Sequence, residues 1–182
     1  QYAGAITRKE EVHSTKQLDQ TETDGSPDNR LAIITAWTAD TCGFDMSILI
    51  GIAYKNFGCL ASDGREMDTD GHVVKEDAQK IFRVHSSLAV GAVGNTQIDQ
   101  AVFSAVQFKA SDTFGRLSLD GCIGAVKDAL QAFCNHPDKI KISPATQVMI
   151  LGLDQEQNFC LCALTMTENF QLESAILSSG GV

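Results

Sequence analysis

The spacing of hydrophobic residues changes twice along this chain, and that change constrains the fold more than any other feature. Between residues 47 and 94, short apolar runs alternate with turn residues, a pattern typical of strands. From about residue 96 to 135 the apolar residues recur at helical spacing in two segments, and strands resume at 147. Because two consecutive helices do not fit a strictly alternating parallel sheet, this order predicts helices layered on antiparallel sheets.

The individual elements follow from the same pattern. Helices are predicted over about 96–110, with Asn95 or Thr96 as N-cap, and over about 119–135. Turns are predicted at Asn56-Phe57-Gly58 and at residues 68–71, where Asp-Gly tolerates the positive φ of a tight hairpin. The predicted strands are SILIGIAY (47–54), CLAS (59–62), KIFRV (80–84), LAVGAVG (88–94), QVMILGLD (147–154), NFCLCALTM (158–166) and LESAIL (172–177).

The content and spacing of apolar residues change at about residue 46 and divide the chain there. Residues 1–30 hold six apolar residues with no sustained period, so they bury too little to offset their ordering entropy. LAIITAW (31–37) is apolar enough for a short strand or a helix. We therefore expect residues 1–45 to be a disordered or extraneous extension, and residues 46–182 to form one domain of ordinary size.

Composition excludes several classes of function. The formal charge is 14 minus 23, or −9, which argues against a nucleic-acid binder that depends on clustered Lys and Arg. No apolar run approaches the roughly 18–20 residues that span a bilayer, so no membrane partner is expected. The four histidines and six cysteines show no metal-ligand spacing, so we expect no metal and no cofactor. Cysteines inside apolar patterns favour a reducing, cytoplasmic location.

One set of residues carries a more specific signal. Ser47 begins a predicted strand, Asp63 follows sixteen positions later at the end of the next strand, and Lys80 opens the strand of AQKIFRV. The strand LAVGAVGN then carries glycines that allow close backbone approach. Structural alternatives remain open, because Asp63 and Lys80 could form an ordinary ion pair and Ser47 could be a strand-edge serine.

The segments SILIGIAYKNFGCLASDGR, VVKEDAQKIFRV and LAVGAVGNTQ resemble the opening half of a proteasome β-type subunit, whose fold is shared with the bacterial protease of the HslV type. The terminal SAILSSGG resembles a later strand-to-loop segment of that family. The resemblance implies an N-terminal-nucleophile (Ntn) hydrolase, of α+β class, with a four-layer αββα sandwich. It also implies that this domain is truncated at its C-terminus, since the family's remaining helices and strands do not follow Val182.

The resemblance assigns catalytic roles to five residues. Ser47 falls on the nucleophile position, where threonine is usual, and its own α-amino group would take the hydroxyl proton. Asp63 would keep the ammonium of Lys80 charged and oriented beside the nucleophile. Gly94 would supply an oxyanion-hole N–H, and Ser179 would hydrogen-bond around the nucleophile's amine.

The resemblance also implies a substrate and partners. The first specificity pocket would include Glu66, Phe82, Ala92 and Thr96, with Ala92 leaving a roomy floor and Glu66 favouring a basic side chain. The substrate would be a peptide or an unfolded protein. The partners would be further subunits of a homo- or hetero-oligomeric ring, and an unfolding ATPase is a further candidate.

Alternatives to a peptidase remain. Several members of the family are non-catalytic subunits that serve assembly, and an N-terminus buried or extended before Ser47 would favour that function. Met46 precedes Ser47 where the family commonly has Gly. Met46-Ser47 also has the pattern of a translation start, from which methionine aminopeptidase would expose Ser47. Less favoured are an α-type subunit, whose N-terminal helix signature is not readable in residues 1–46, and an unrelated sandwich with similar glycine spacing.

Overall fold

A computed structural model describes residues 32–39, 46–67, 72–135, 146–167 and 171–178. Two helices are formed, α1 (Thr96–Asp112) and α2 (Leu119–Cys134). The strands in chain order are β1 (Ala32–Ala39), β2 (Met46–Tyr54), β3 (Phe57–Ser62), β4 (Glu66–Met67), β5 (Val73–Lys75), β6 (Ile81–His85), β7 (Leu88–Gly94), β8 (Thr146–Leu153), β9 (Phe159–Met166) and β10 (Leu172–Ser178).

The strands form two antiparallel sheets and one small hairpin. The first sheet has the order β1-β2-β3, and the second has the order β10-β9-β8-β7-β6. β4 and β5 pair only with each other. An even number of helices returns the chain to the end of the sheet where β7 finished, so β8 runs antiparallel beside β7, with Thr146 opposite Gly94. The chain is thus a mixed α/β fold with antiparallel sheets and two helices.

Two hydrophobic cores lie on opposite faces of the five-stranded sheet. On one face, α1 and α2 pack against β7, β8 and β9 around buried residues such as Val102, Val126 and Ile150. On the other face, Leu49 and Ala53 of β2 pack against Met149 and Leu161. The described layers are therefore two helices, a five-stranded sheet and a three-stranded sheet.

The contact between the two sheets depends on missing side chains at two glycines. A Cβ at Gly51 would lie 2.7 Å from the side chain of Leu161, and a Cβ at Gly91 would lie 2.7 Å from that of Leu49. Both distances are far below a normal carbon–carbon contact of about 3.5–4.0 Å. Glycine in these strands therefore lets β2, whose N-terminal end carries Ser47, pack closely on β7.

Each helix begins at a polar cap and buries one apolar stripe. The Asn95 side chain accepts hydrogen bonds from the backbone N–H groups of Gln97 at 3.0 Å and Ile98 at 3.4 Å. Ser118 accepts from the N–H of Gly121 at 3.1 Å at the start of α2. These bonds satisfy donors that the first helical turn leaves unpaired. Neither helix in the described part of the chain is long and apolar enough to span a membrane.

The predicted helices and strands are found in the predicted order, with boundaries that differ by one or two residues, and the short strands β4 and β5 are formed in addition. The predicted turn at Asn56-Phe57-Gly58 is wrong in its position, because the turn is Lys55-Asn56 and Phe57 already pairs with Tyr54. A two-residue turn suits antiparallel strands, and Gly58 lies within β3. LAIITAW contributes to a strand, β1, inside the segment predicted to be an extension. The predicted turn at 68–71 lies outside the described residues.

Candidate active site

The Lys80 ammonium joins two of the predicted catalytic residues. Its Nζ lies 2.9 Å from the Ser47 hydroxyl oxygen and 2.9 Å from Asp63 Oδ1. The Lys80 side chain is only 10% exposed, so this donor is largely withdrawn from competition with water. Residues 33 and 17 positions apart in sequence therefore meet at a single cation.

Asp63 is held in place by the backbone of β2 as well as by Lys80. Its Oδ1 accepts the N–H of Ile48 at 2.9 Å, and its own N–H donates to the Ile48 carbonyl at 3.2 Å. Partial burial raises the pKa of Asp63, but the Ile48 N–H, the Lys80 ammonium and the Arg65 N–H together lower it below its ordinary value. Asp63 is therefore a carboxylate at neutral pH. Its Oδ1 is bonded to the N–H of Ile48, the residue that follows Ser47.

The position of Lys80 follows from the pairing of β6 and β7. The Lys80 carbonyl accepts the N–H of Ala92 at 2.9 Å, which extends the antiparallel ladder one residue before β6 begins. The β7 strand in turn contacts β2, because Leu49 fits into the space above Gly91. The register of one sheet and the packing of the second sheet on it together bring Lys80 to Ser47.

This arrangement can polarise a hydroxyl, but the Lys80 ammonium cannot itself accept the hydroxyl proton. An ammonium that is ion-paired with Asp63 donates its hydrogen bond to Ser47 Oγ and has no lone pair to offer. It stabilises negative charge that develops on Oγ, which favours loss of the hydroxyl proton. A serine hydroxyl becomes a strong nucleophile when a base takes its proton, and the α-amine of a chain that begins at Ser47 would be adjacent to it.

Of the two remaining predicted catalytic residues, Gly94 is among the described residues and Ser179 is not. Gly94 ends β7 with φ of +131°, a conformation that side-chain-bearing residues rarely adopt, and it directly precedes the N-cap Asn95. Its assignment as an oxyanion donor stays a prediction. Ser179 lies outside the described residues, so its assignment also stays a prediction.

Two of the four predicted pocket residues lie at the surface, and the other two belong to the core under the helices or pack against it. The Thr96 hydroxyl donates to Glu66 Oε1 at 3.1 Å, which links the start of α1 to β4 at the surface. Ala92 is fully buried within the helix-side core. Phe82 packs against the same core, with its ring centroid 6.1 Å from that of Phe103. Glu66 and Thr96 thus lie together, while their role in substrate binding stays a prediction.

Asp99 is a residue near this site that the sequence analysis did not single out. It is half-buried in the first turn of α1, and its Oδ1 is buried without a hydrogen-bond partner. Burial raises its pKa to about 7, the Lys80 charge lowers it, and the Glu66 charge raises it further. An acidic residue in a first helical turn is ordinary, because it complements the helix dipole. The sequence therefore held no signal that this carboxyl is buried near Lys80.

Replacement of Asp99 by Asn should stabilise the fold in a pH-dependent way. The unfolded carboxyl titrates near 3.8 and the folded one near 7, so the folded state loses stability as the pH rises through this window. Asp99→Asn removes that loss, and we expect a gain of about 2–4 kcal/mol in the free energy of unfolding at pH 8. The gain should shrink steadily toward pH 4.

Denaturant unfolding at a series of pH values checks this expectation. Asp112→Asn, at the exposed end of α1, is the matched control for the loss of one carboxylate from this helix. An effect of Asp99→Asn that is equal at pH 5 and pH 8 would show that this carboxyl does not titrate in the window.

Other nucleophiles in the described residues are less suited to chemistry. Burial raises the pKa of Cys122 to about 12 and that of Cys162 to about 11, so both thiols stay protonated at neutral pH. Ser87 Oγ lies 3.3 Å from His85 Nδ1, but His85 Nε2 is anchored on the Leu117 carbonyl at 3.0 Å. This pair ties the β6–β7 turn to the residues before α2. Within the described residues, no group of three His, Cys, Asp or Glu side chains is placed to hold a metal ion.

Comparisons with known proteins give a likeness between structures and no match between sequences. No protein-family model matches this chain, and no curated protein matches it. Among solved structures, the chain is similar to eukaryotic HslV from Trypanosoma brucei, with 9% sequence identity and a TM-score of 0.42. The alignment covers 81% of this chain and 70% of that chain. The roles of Ser47, Asp63 and Lys80 are therefore argued from the contacts within this chain.

Proposed function

We propose that this chain is an N-terminal-nucleophile peptidase whose nucleophile is Ser47. The observation that carries the proposal is the contact of one lysine ammonium with both a serine hydroxyl and a carboxylate, each at 2.9 Å. A plain Asp63–Lys80 ion pair would not need the serine, and a strand-edge serine would not need the ammonium. The resemblance of the flanking segments to proteasome β-type subunits supports the same assignment.

The proposed reaction is hydrolysis of a peptide bond in two steps. Ser47 Oγ attacks the carbonyl carbon, and the α-amine of Ser47 takes the hydroxyl proton, directly or through a water molecule, and passes it to the leaving amine. A water molecule then hydrolyses the acyl-enzyme ester and restores the hydroxyl. An α-amine with a pKa of about 7.7–8.0 suits this task at neutral pH, whereas a peptide nitrogen cannot accept a proton.

Each neighbouring group has a part in this proposal. The Lys80 ammonium stabilises charge on Oγ, and Asp63 fixes the position of that ammonium. Gly94 N–H is proposed as a donor to the oxyanion, and Ser179 as a partner of the α-amine. Glu66, held by Thr96, would favour a basic side chain in the first pocket, which Phe82 and Ala92 would also line.

The finer architecture belongs to the same proposal. A four-layer αββα sandwich would require a second helical layer on the outer face of the β1-β2-β3 sheet. On that face the Ile48 side chain is 37% exposed and the Phe57 side chain is 57% exposed, while Leu49 and Ala53 on the inner face are fully buried. Ring assembly with further subunits, an unfolding ATPase as partner and a cytoplasmic location complete the proposal.

A non-catalytic subunit of the same fold is the second candidate, and one observation favours it. In the described chain Ser47 is bonded to Met46, and both residues pair with β1, Met46 with Ala39 and Ser47 with Thr38. A serine that is joined to a preceding residue by a peptide bond has no free α-amine. The two candidates therefore differ in whether the chain is cut before Ser47.

Activity that appears on exposure of Ser47 is the test of the peptidase. A viral endopeptidase that cuts after Glu-Asn-Leu-Tyr-Phe-Gln accepts serine as the next residue, so its site can be placed directly before Ser47. We expect the full chain to be inactive and the cut chain to hydrolyse fluorogenic peptides, with basic residues preferred at the cleaved bond. The required substitutions are Thr41→Glu, Cys42→Asn, Gly43→Leu, Phe44→Tyr, Asp45→Phe and Met46→Gln.

A cut one residue earlier provides the matched control. The same recognition sequence placed over residues 40–45 gives a chain that begins at Met46, whose α-amine is displaced by one residue from Ser47 Oγ. This chain should stay inactive. If it hydrolyses peptides as fast as the chain that begins at Ser47, the α-amine is not the base; if neither is active, the non-catalytic candidate is favoured.

A further inference from the structure

Strand β1 is a complete member of the first sheet. All eight of its residues pair with β2, from Ala32 opposite Ala53 to Ala39 opposite Met46. The order β1-β2-β3 makes β2 the central strand. β1 also lies against β7, β8 and β9 of the other sheet, so it takes part in the packing between sheets as well as in the ladder.

The sequence of β2 makes an open edge there unfavourable. Its nine residues, MSILIGIAY, include three isoleucines and one leucine and no charged residue. A long, uncharged and hydrophobic strand at a sheet edge is prone to pair with other chains. Natural edges are blunted by charges, prolines or bulges, and β2 has none of these. In this structure β1 is the segment that covers that edge.

The sequence of β1 suits permanent retention. AIITAWTA has no charged residue and no proline, and it holds two adjacent isoleucines and the chain's one tryptophan. β-branched and aromatic residues are enriched in strands because they fit a pleated, half-buried surface. Because exposure of apolar surface to water is unfavourable, we expect release of this strand from β2 to cost free energy.

We propose that residues 1–46 remain bound after the chain is cut before Ser47, held by β1, so that the active protein has two chains. This inference rests on the proposed function for the occurrence of the cut. The cut hydrolyses the Met46–Ser47 peptide bond with one water molecule and leaves a carboxylate on Met46 and an amine on Ser47. Because Thr38 is opposite Ser47 in the ladder, β1 then flanks the new α-amine on the side away from β3.

The consequence is that removal of β1 and exposure of Ser47 are separate events. A chain that merely begins at Ser47 exposes the edge of β2, whereas a cut chain keeps it covered. We therefore expect the isolated segment 47–182 to aggregate or to lose stability, and the cut two-chain protein to behave like the intact chain.

The test uses the chain with the cleavage site before Ser47 and with Ser47→Ala as an added substitution. This protein lacks the proposed nucleophile, so retention is measured independently of catalysis. After complete cutting, native mass spectrometry and gel filtration should show one species that contains both segments, and denaturant should separate them. Hydrogen exchange at residues 32–39 and 46–54 should be as slow after the cut as before it.

A proline substitution in the ladder gives the matched variant. Ile34→Pro removes a backbone N–H and hinders extension of the strand. Gln20→Pro, in the same cut segment but not one of the eight residues of β1, is its control. The uncut Ile34→Pro chain keeps β1 tethered, so its folding can be checked by circular dichroism before cutting. After cutting, segment 1–46 should leave the Ile34→Pro protein but not the Gln20→Pro protein.

Two results would overturn the inference. One is release of segment 1–46 from the cut parent while segment 47–182 stays soluble, monomeric and protected. The other is replacement of β1 by a second copy of segment 47–182, seen as a dimer that lacks segment 1–46. Neither result bears on whether a chain that begins at Ser47 hydrolyses peptides, because Ser47→Ala is present throughout.

Discussion

Lys80→Ala should reduce peptide hydrolysis by the activated chain by on the order of 10³-fold, which is the effect of removing one positioned donor together with its help in proton transfer. The ammonium is the sole group in the described residues that contacts both Ser47 Oγ and Asp63 Oδ1. Without it, Ser47 loses the charge that favours ionisation of its hydroxyl. In the proposed reaction Lys80 acts on the nucleophile rather than on bound substrate, so the loss should appear mainly in kcat.

The fold should survive this substitution. Asp63 keeps its hydrogen bond from the Ile48 N–H, and the carboxylate is 27% exposed, so water can replace part of the lost contact. We expect a loss of about 1–3 kcal/mol in the free energy of unfolding. Lys109→Ala, on the exposed surface at the end of α1, is the control and should change neither rate nor stability appreciably. A Lys80→Ala protein that is folded and as active as the parent would show that the ammonium has no catalytic role.

The sequence predicted the elements well where the local pattern and the tertiary structure agree. Helix α1 illustrates this: Ile98, Val102 and Val106 recur at helical spacing and are buried in the structure. Phe108, which the same pattern assigns to the apolar face, is 75% exposed. Its N-cap, Asn95, was one of two candidates, and its side chain makes the capping bonds. These features depend on neighbours within four residues, which a sequence displays directly.

The prediction was less complete where distant pairing decides the outcome. LAIITAW fits a strand or a helix equally by its spacing, and the structure makes it a strand because β2 supplies a partner over its full length. The flanking Asn and Gly predict a turn at Phe57, but pairing with Tyr54 extends β3 to include it. In both cases a tertiary partner overrides or settles a local preference.

The candidate site divides in the same way. Spacing and resemblance predict that Ser47, Asp63 and Lys80 belong to one site. In the structure the Lys80 ammonium lies within hydrogen-bond distance of both other side chains. Asp99 could not be found from the sequence, because its raised pKa comes from burial by the tertiary structure and from the charges of Lys80 and Glu66. Local patterns indicate which residues have reactive or titratable side chains, whereas burial in the tertiary structure decides which of them have shifted pKa values.

Ser47→Ala should abolish peptide hydrolysis by the activated chain, and Ser47→Thr should retain it. In the proposed reaction alanine removes the attacking oxygen, while threonine keeps the hydroxyl on a β-branched side chain that suits β2. Lys80 loses one hydrogen-bond acceptor in Ser47→Ala but keeps Asp63, so the unfolding free energy should fall by no more than about 1 kcal/mol. Loss of activity would then arise from chemistry and not from unfolding.

Covalent labelling adds a readout that turnover alone does not give. A fluorophosphonate reacts with activated serine hydroxyls, so mass spectrometry should find its adduct on the peptide that begins at Ser47 and not in the Ser47→Ala protein. Ser62→Ala, on the neighbouring strand β3, is the matched control and should keep both activity and the adduct. The adduct should also be absent from Lys80→Ala and from the uncut chain, because each lacks one of the two groups that activate the hydroxyl. An adduct that forms equally in the uncut chain would mean that the Lys80 ammonium alone activates Ser47, and the α-amine would then have no part in the reaction.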